Sequence, residues 1–287
     1  MISGVSVVIP AYNEEAGVAA VVAAFHQALA GCGVPFEVLV IDDGSTDGTG
    51  AAAAAAGARV LASPVNLGYG LSLRRGIARA THDYVLICDA DGTYPAQRAA
   101  ELVAQAEHFD MVVGARTGPY FHGAGPRAAL RGLLRLFASF VVGRKVPDVN
   151  SGFRIFRKDA ATAYFGILSQ GFSFTTGLTL AMMSDALAVR FVPIEYRQRV
   201  GASKVRTLRD TLRLGQVLVQ AIVRHNPIKL FLALAAASWL LALLLLILGL
   251  ALENPAVLIG GIVGLFSGFH LFGLGLVAEA LRARAAR

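Results

Sequence analysis

Tyr84-Val85-Leu86-Ile87-Cys88-Asp89-Ala90-Asp91-Gly92 decides the reading of this chain. A run of five apolar side chains stops abruptly at two carboxylates two positions apart. So short and so apolar a run fits a strand buried on both faces. The change of polarity marks its C-terminal end. The pattern occurs twice upstream: residues 5–10 run into Ala11-Tyr12-Asn13-Glu14, and residues 36–41 into Asp42-Asp43-Gly44-Ser45-Thr46-Asp47-Gly48-Thr49. Helical patterns over 16–29, 49–56, 69–80 and 96–107 separate these runs from short strands at 59–62 and 111–114. Such alternation predicts βαβ units on a mostly parallel, Rossmann-like α/β sheet. Ligands bind such a sheet beyond the carboxyl ends of its strands, where all three polar motifs fall.

Downstream, residues 126–142 read as a helix with Arg127, Arg131 and Arg135 spaced four apart. Two more strands, 151–156 and 188–196, flank a loop and helix at 171–183. Residues 204–224 are amphipathic. Val205, Leu208, Leu212, Val219 and Ile222 share a face, and Lys204, Arg206, Arg209 and Arg213 keep mostly to another. That pattern predicts a helix lying in a membrane interface. Residues 230–252 and 256–278 carry no formal charge, and each is long enough to span a bilayer. Only Glu253-Asn254-Pro255 joins them, so the pair is read as a hairpin with both ends on one side. Arg224 and Lys229 precede it, and Arg282, Arg284 and Arg287 follow it. The positive-inside bias then predicts a cytoplasmic N-terminal α/β domain and cytoplasmic termini, at the inner membrane if the source is bacterial. The expected domains are 1–203, 204–228 and 229–287.

Composition agrees. The chain is 55% hydrophobic and 16% charged, against about a quarter charged in soluble domains. Residues 1–196 carry 15 Lys/Arg and 16 Asp/Glu, whereas residues 197–287 carry 11 and 3. The basic excess therefore sits beside the most apolar sequence. This points to membrane lipids as partner and away from nucleic acid. Cys32 and Cys88 have no metal-binding spacing and read as reduced thiols. The oligomeric state is not legible.

The acidic residues carry the chemistry. Asp89 and Asp91, just past a strand, can meet one divalent cation and the diphosphate it holds; Mg²⁺ and Mn²⁺ prefer such oxygen ligands. Thr93 can add a hydroxyl to that shell. Asp43 can accept from a base N–H or a ribose hydroxyl, while Ser45 or Asp47 can cap the following helix. Tyr12 can stack on a base, and Glu14 can bind ribose or base.

In this order and spacing the three motifs resemble family 2 glycosyltransferases of the GT-A fold, most closely the dolichol-phosphate mannose synthase and polyprenyl-phosphate glycosyltransferase group. Val113-Gly114-Ala115-Arg116, Asn150-Ser151-Gly152-Phe153-Arg154-Ile155-Phe156 and Arg199-Val200-Gly201-Ala202-Ser203-Lys204 extend the resemblance over about residues 5–205. It implies a GDP- or UDP-sugar donor, inverting transfer and a polyprenyl or dolichyl phosphate acceptor. It also implies that Pro10, Tyr12, Glu14, Ile41 and Asp43 line the nucleoside site. Asp89, Ala90 and Asp91 would hold ribose, diphosphate and the Mg²⁺ or Mn²⁺ ion, and Arg116, Arg199 and Lys204 would meet phosphates. Two departures stand out: Thr93 replaces the Gln or Ser often found there, and Thr117–Gly125 matches no family pattern.

A lipid phosphate is already an anion near neutral pH, so its attack needs no general base. The task is to bring two anions together. Their repulsion is roughly 4 kcal/mol for unit charges about 4 Å apart at an effective dielectric near 20. The metal on one side and Arg116, Arg154, Arg199 or Lys204 on the other would offset it, with Arg127 and Arg131 as further candidates. Asp148 would orient an arginine, or serve as base if the acceptor were a hydroxyl. The rival readings are a transferase acting on a glycan or another lipid hydroxyl, and a degenerate nucleotide-sugar-binding scaffold.

Overall fold

The computed structural model describes residues 2–122, 126–168, 171, 173–198, 215, 219–220, 222–223 and 226–285. The segment expected to form the interfacial helix, including Arg199, Lys204, Arg206, Arg209 and Arg213, lies almost wholly outside the described residues. The chain divides into two compact units, Met1–Val217 and Leu218–Arg287.

The first unit is a seven-stranded mixed sheet in the order β3-β2-β1-β4-β6-β5-β7. Its strands are β1 (Val5–Ala11), β2 (Phe36–Asp42), β3 (Arg59–Ala62), β4 (Tyr84–Ile87), β5 (Met111–Thr117), β6 (Arg154–Arg157) and β7 (Val189–Glu195). Every strand expected from the apolar runs is present. Strand β6 runs antiparallel to both β4 and β5, and the other pairs are parallel. The single reversed strand is why the sheet is only mostly parallel.

Alternation along the strands builds two apolar layers. Val5, Val7 and Ile9, with Val38 and Val40, pack on one face against α1 (Glu15–Leu29) and α4 (Ala99–Ala106), through Val18, Val22, Phe25 and Leu102. Val8, Leu39 and Ile41 point to the other face. There they meet Leu73 and Ile77 of α3 (Tyr69–Arg79) and Leu178 and Met182 of α8 (Phe174–Ser184). Helix α3 lies so close to the sheet that a Cβ on Gly76 would come within 2.3 Å of Val8 Cγ1. The remaining helices are α2 (Thr49–Ala55), α5 (Pro119–His122), α6 (Pro126–Val142) and α7 (Lys158–Thr162). Helix α5 occupies part of the stretch that matched no pattern. Cys32 and Cys88 are both free.

The second unit contains two helices long and apolar enough to cross a membrane, Pro227–Ala251 and Pro255–Ala285. The first is about 37 Å long at about 1.5 Å per residue, which exceeds a hydrocarbon core of about 30 Å. They pack antiparallel along a seam of small residues. Ala235, Ala242 and Gly249 are buried on the first helix. On the second, Gly261 faces Leu246, Gly264 faces Ala242, Gly268 faces the Trp239 indole and Gly275 faces Phe231. The seven-residue spacing on both helices is that of a left-handed coiled pair. Small side chains let the two backbones approach, the usual basis of helix association in lipid. The turn is tight, as expected: Asn254 Oδ1 accepts from the N–H groups of Ala256 (3.0 Å) and Val257 (3.3 Å). The His270 Nδ1 lies 2.9 Å from Phe266 O on its own helix.

Candidate active site

The loops after β1 and β2 are laced together. Ser45 Oγ accepts from the Asn13 N–H (3.0 Å), Asn13 Oδ1 from the Thr46 N–H (2.8 Å), and Thr49 Oγ1 from the Glu14 N–H (2.8 Å). Asn13 has φ of 50°, a left-handed conformation that asparagine tolerates. Tyr12 and Glu14, both half-buried, thus project from a fixed backbone. Gly48 is the N-cap of α2 and Asp47, just before it, accepts from the Thr49 N–H, while Ser45 serves Asn13. Pro10 and Ile41 are paired across the β1–β2 ladder and buried. They belong to the sheet beneath these loops.

Asp43 is buried, and both its oxygens are engaged. Oδ1 accepts from the Leu67 N–H (2.9 Å) and Oδ2 from the Gly68 N–H (2.8 Å). The carboxylate therefore fixes the loop that leads into α3. Gly44, at φ of 72°, permits the approach: a Cβ there would lie 2.6 Å from the Val65 carbonyl carbon. A carboxylate offers about four lone-pair sites, so each oxygen retains capacity for a nucleoside N–H or O–H.

Beyond β4 the two carboxylates are held separately. The Tyr69 hydroxyl donates to Asp89 Oδ1 at 2.9 Å. A Cβ on Gly152 would come within 2.7 Å of both Asp89 oxygens, so glycine is required where Asp89 lies against the backbone. Burial, then the negative charge of Asp89, push the Tyr69 hydroxyl well above its ordinary pKa. Tyr69 therefore stays a neutral donor. Asp91 Oδ1 accepts from the Thr93 N–H (3.1 Å) and from the Thr93 hydroxyl (2.6 Å). Thr93 is fully buried. Its hydroxyl proton orients Asp91, and the oxygen lone pairs stay available to an ion. Ala90, between the two, is buried.

The described residues contain no group of three or more acidic, His or Cys side chains suited to a metal. Two hard carboxylates at one strand end nevertheless fit Mg²⁺ or Mn²⁺. Such ions at nucleotide sites are commonly held by one or two carboxylates plus substrate phosphates and water.

Arg116, next to the last residue of β5, forms a bidentate ion pair with Asp148. Nε lies 2.7 Å from Oδ2, Nη2 lies 2.9 Å from Oδ1, and the Arg116 N–H also bonds Oδ2 at 3.1 Å. The guanidinium stands 4.8 Å from the Phe121 ring centroid and 5.4 Å from that of Tyr196. Burial pushes the Asp148 carboxyl up, but the charge and hydrogen bonds of Arg116 outweigh it and hold the pKa below the usual value. A chain of contacts links this pair to Asp89. Tyr196 packs edge-on against Tyr94 at 5.4 Å, and the Tyr94 hydroxyl accepts from the N–H of Gly152 at 2.7 Å, against which Asp89 lies.

Arg154 departs from expectation. It is fully buried and directs its donors inward, to Ser151 O, Thr175 O (3.0 Å) and Thr179 Oγ1 (2.6 Å). Burial pulls its pKa down to about 10, and nearby Asp148 only partly offsets this. The side chain braces β6 against α8 and is not presented to a phosphate. Arg131 stands over the Phe121 ring at 5.4 Å. Arg199, Lys204 and the Arg127 side chain lie outside what is described. Sequence reasoning missed Tyr69 and Tyr94. Tyr94 follows the acidic motif closely enough to have been suspected. Tyr69, 20 residues before its partner, gave no signal.

A mostly parallel sheet with paired carboxylates at one strand end and laced loops beside them is a GT-A-like α/β architecture. The family model for glycosyl transferase family 2 matches residues 6–165, and the chain belongs to that family. It is 30% identical over 292 residues to the undecaprenyl-phosphate 4-deoxy-4-formamido-L-arabinose transferase of Pseudomonas aeruginosa, covering 96% of this chain and 84% of that one. It is 27% identical over 225 residues to the polyprenol monophosphomannose synthase of Mycolicibacterium smegmatis, covering 69% and 80%. Among solved structures it resembles glucosyl-3-phosphoglycerate synthase from Mycobacterium tuberculosis in complex with Mn²⁺, uridine diphosphate and glucosyl-3-phosphoglycerate. The TM-score is 0.63 and the identity 25%, over 77% of this chain and 80% of that one.

Proposed function

We propose that this protein transfers a sugar, with inversion, from a nucleotide diphosphate donor of the GDP-mannose or UDP-hexose type to a polyprenyl or dolichyl phosphate. The names of the relatives support the acceptor class. The observation that carries it is the Arg116–Asp148 pair. Transfer to a hydroxyl needs a general base. Asp148 was the candidate, and its carboxylate is committed to Arg116 and binds a proton more weakly than an ordinary aspartate. Such a group is a poor base near neutral pH. A phosphate acceptor needs none.

The residues then divide the work. Tyr12, Glu14 and Asp43 hold the nucleoside, on loops whose backbone is already fixed. Asp89 and Asp91 hold the ribose, the diphosphate and the Mg²⁺ or Mn²⁺ ion, with Tyr69 and Thr93 orienting them. When bound, the ion neutralises charge on the departing diphosphate. Arg116 presents a cation to the acceptor phosphate. Two of its five N–H donors serve Asp148, and the fork remains suited to phosphate oxygens. Arg199 and Lys204 join it in this reading. The basic residues flanking the apolar hairpin support placing the catalytic unit and both termini in the cytoplasm.

The test compares two acceptors in vesicles containing the full chain, nucleotide sugar and Mg²⁺ or Mn²⁺. Polyprenyl phosphate should accept sugar and the matching polyprenol should not. Equal use of both would overturn the phosphate reading.

A further inference from the structure

Tyr196 and Arg197 connect the two sides of the site. The Tyr196 N–H donates to Thr117 O (3.1 Å), next to Arg116, and the Arg197 N–H donates to Thr93 O (2.9 Å), close after Asp91. Two adjacent backbone donors thus tie the end of β5 to the loop that carries the acidic pair. This staple is main chain, so it does not depend on the side chain at 196.

The Tyr196 ring makes the same connection through side chains. It packs edge-on against Tyr94, the residue after Thr93, with centroids 5.4 Å apart, and the Arg116 guanidinium carbon stands 5.4 Å from its centroid. The chain leaves the sheet after Arg116, runs through α5 and α6 as an excursion, and returns at Asp148. Phe121 of α5 gives Arg116 a second ring at 4.8 Å. The two rings stand 6.5 Å apart, more than either stands from the guanidinium carbon, so they form a corner around it. Asp148 takes Nε and Nη2 along one edge. Among the described residues, Nη1 meets no acceptor. The contact of a guanidinium with a ring face is directional, so two rings and a carboxylate fix the direction in which the remaining donors point. Phe121 belongs to the excursion and Tyr94 to the acidic loop, whereas Tyr196 touches both Arg116 and Tyr94.

We infer that Tyr196 is a positioning residue for the transfer: its ring holds the Arg116 guanidinium in register with the Asp89–Asp91 end of the site, so that acceptor phosphate and donor diphosphate meet at a set separation. Small displacements of reacting groups are costly in rate. The inference rests on the proposed reading of Arg116 as the cation for the acceptor phosphate. A half-buried ring that only filled space would act differently: its loss would cost folded protein and leave acceptor use by the surviving sites unchanged.

The test compares wild type, Tyr196→Leu, Tyr196→Phe and Arg116→Lys as full chains in phosphatidylcholine–phosphatidylglycerol vesicles. Binding of nucleoside diphosphate with Mg²⁺ counts the folded sites and gives the donor-side Kd. Initial rates per folded site give KM and kcat for polyprenyl phosphate. Tyr196→Leu should keep the nucleotide Kd within about twofold and raise the acceptor KM about fivefold or more. Tyr196→Phe, which keeps the ring, should restore the wild-type KM. In the Arg116→Lys background the Leu substitution should add little, because the ring acts through Arg116. An acceptor KM raised by Arg116→Lys but not by Tyr196→Leu would overturn this inference alone, whether or not folded sites are lost. An acceptor KM unmoved by Arg116→Lys would overturn the phosphate reading, and this inference with it. Tyr196→Met, which keeps more bulk, replaces Tyr196→Leu if that variant binds no nucleotide. Loss of nucleotide binding in both would also overturn the inference, because the ring would then be holding the fold.

Discussion

Arg116 and Asp148, 32 residues apart, form a two-point ion pair at 2.7 and 2.9 Å that closes the base of the α5–α6 excursion. The Asp148 side chain is 3% exposed and that of Arg116 16%. Removing one partner of a buried pair leaves an uncompensated charge and typically costs about 3–5 kcal/mol. Arg116→Lys keeps the charge and loses the planar fork. It should lower the transfer rate with lipid phosphate by about tenfold or more, the loss expected when one charge-assisted contact of about 1.5–3 kcal/mol is made poorly. Donor affinity should change little. Rates at saturating donor, with nucleotide Kd measured separately, check this. An unchanged rate would remove Arg116 from acceptor binding.

The same pair predicts a pH dependence of stability. The folded Asp148 pKa is depressed below its ordinary value of 3.8. Its stabilisation is therefore fully present above about pH 4 to 5 and is lost as pH falls through the folded pKa. The difference in unfolding free energy between wild type and Asp148→Asn should be constant from neutral pH to about pH 5. It should shrink only below the ordinary aspartate range. Urea titrations in detergent at several pH values would show it. A difference that closes between pH 6 and 7 would mean that another group is responsible.

The sheet was legible because its evidence is local. Each strand is a short apolar run, and in β1, β2 and β4 the functional carboxylates or loops begin where the run stops. Asp43, Asp89 and Asp91 could be placed at strand ends on that basis alone. What was not legible depends on contacts between distant segments. Nothing in the sequence shows that the Arg154 side chain turns inward to Ser151 O and Thr179 Oγ1, because an arginine in a phosphate-family motif and one bracing a core look alike. Tyr69 was hidden for the same reason: its partner is set by the packing of α3 across the sheet. Pro10 and Ile41, read from the resemblance as site lining, pair with each other one residue before the ends of β1 and β2.

Tyr69 and Asp89 lead to a prediction about the metal. Tyr69→Phe removes the hydroxyl that donates to Asp89 and leaves the ring in place. A hydrogen bond to a charged group contributes about 1.5–3 kcal/mol. The variant should need about ten to one hundred times more Mg²⁺ or Mn²⁺ for half-maximal rate, with the maximal rate at saturating metal largely restored. Asp91→Asn should instead abolish transfer at any metal concentration, and chelation of the wild type should do so reversibly. Full wild-type activity in EDTA would end the metal proposal. An unchanged metal requirement in Tyr69→Phe would make Tyr69 merely structural.

The apolar hairpin yields the last prediction. Its two helices run antiparallel along the small-residue seam, so a hairpin that crosses a membrane would put their outer ends on one side and the Asn254 turn on the other. Lys229 on one helix and Arg282 and Arg284 on the other lie at the outer ends, with Arg224 and Arg287 flanking them in the sequence; the turn carries only Glu253. The cationic side is expected to be cytoplasmic. In intact cells, a cysteine replacing Asn254 should react with an impermeant maleimide. A cysteine added after Arg287 should react only once the cells are opened. The seam can be tested in the same proteins. The Trp239 indole fills the space where a Gly268 side chain would lie, so Gly268→Leu should force the helices apart. If the hairpin is formed as described, that substitution should lower the yield of folded protein, whereas Gly273→Leu, with open space around it, should not. Labelling of both cysteines from outside would break the hairpin. Labelling of the C-terminal cysteine alone would invert the topology and place the site on the other side of the membrane.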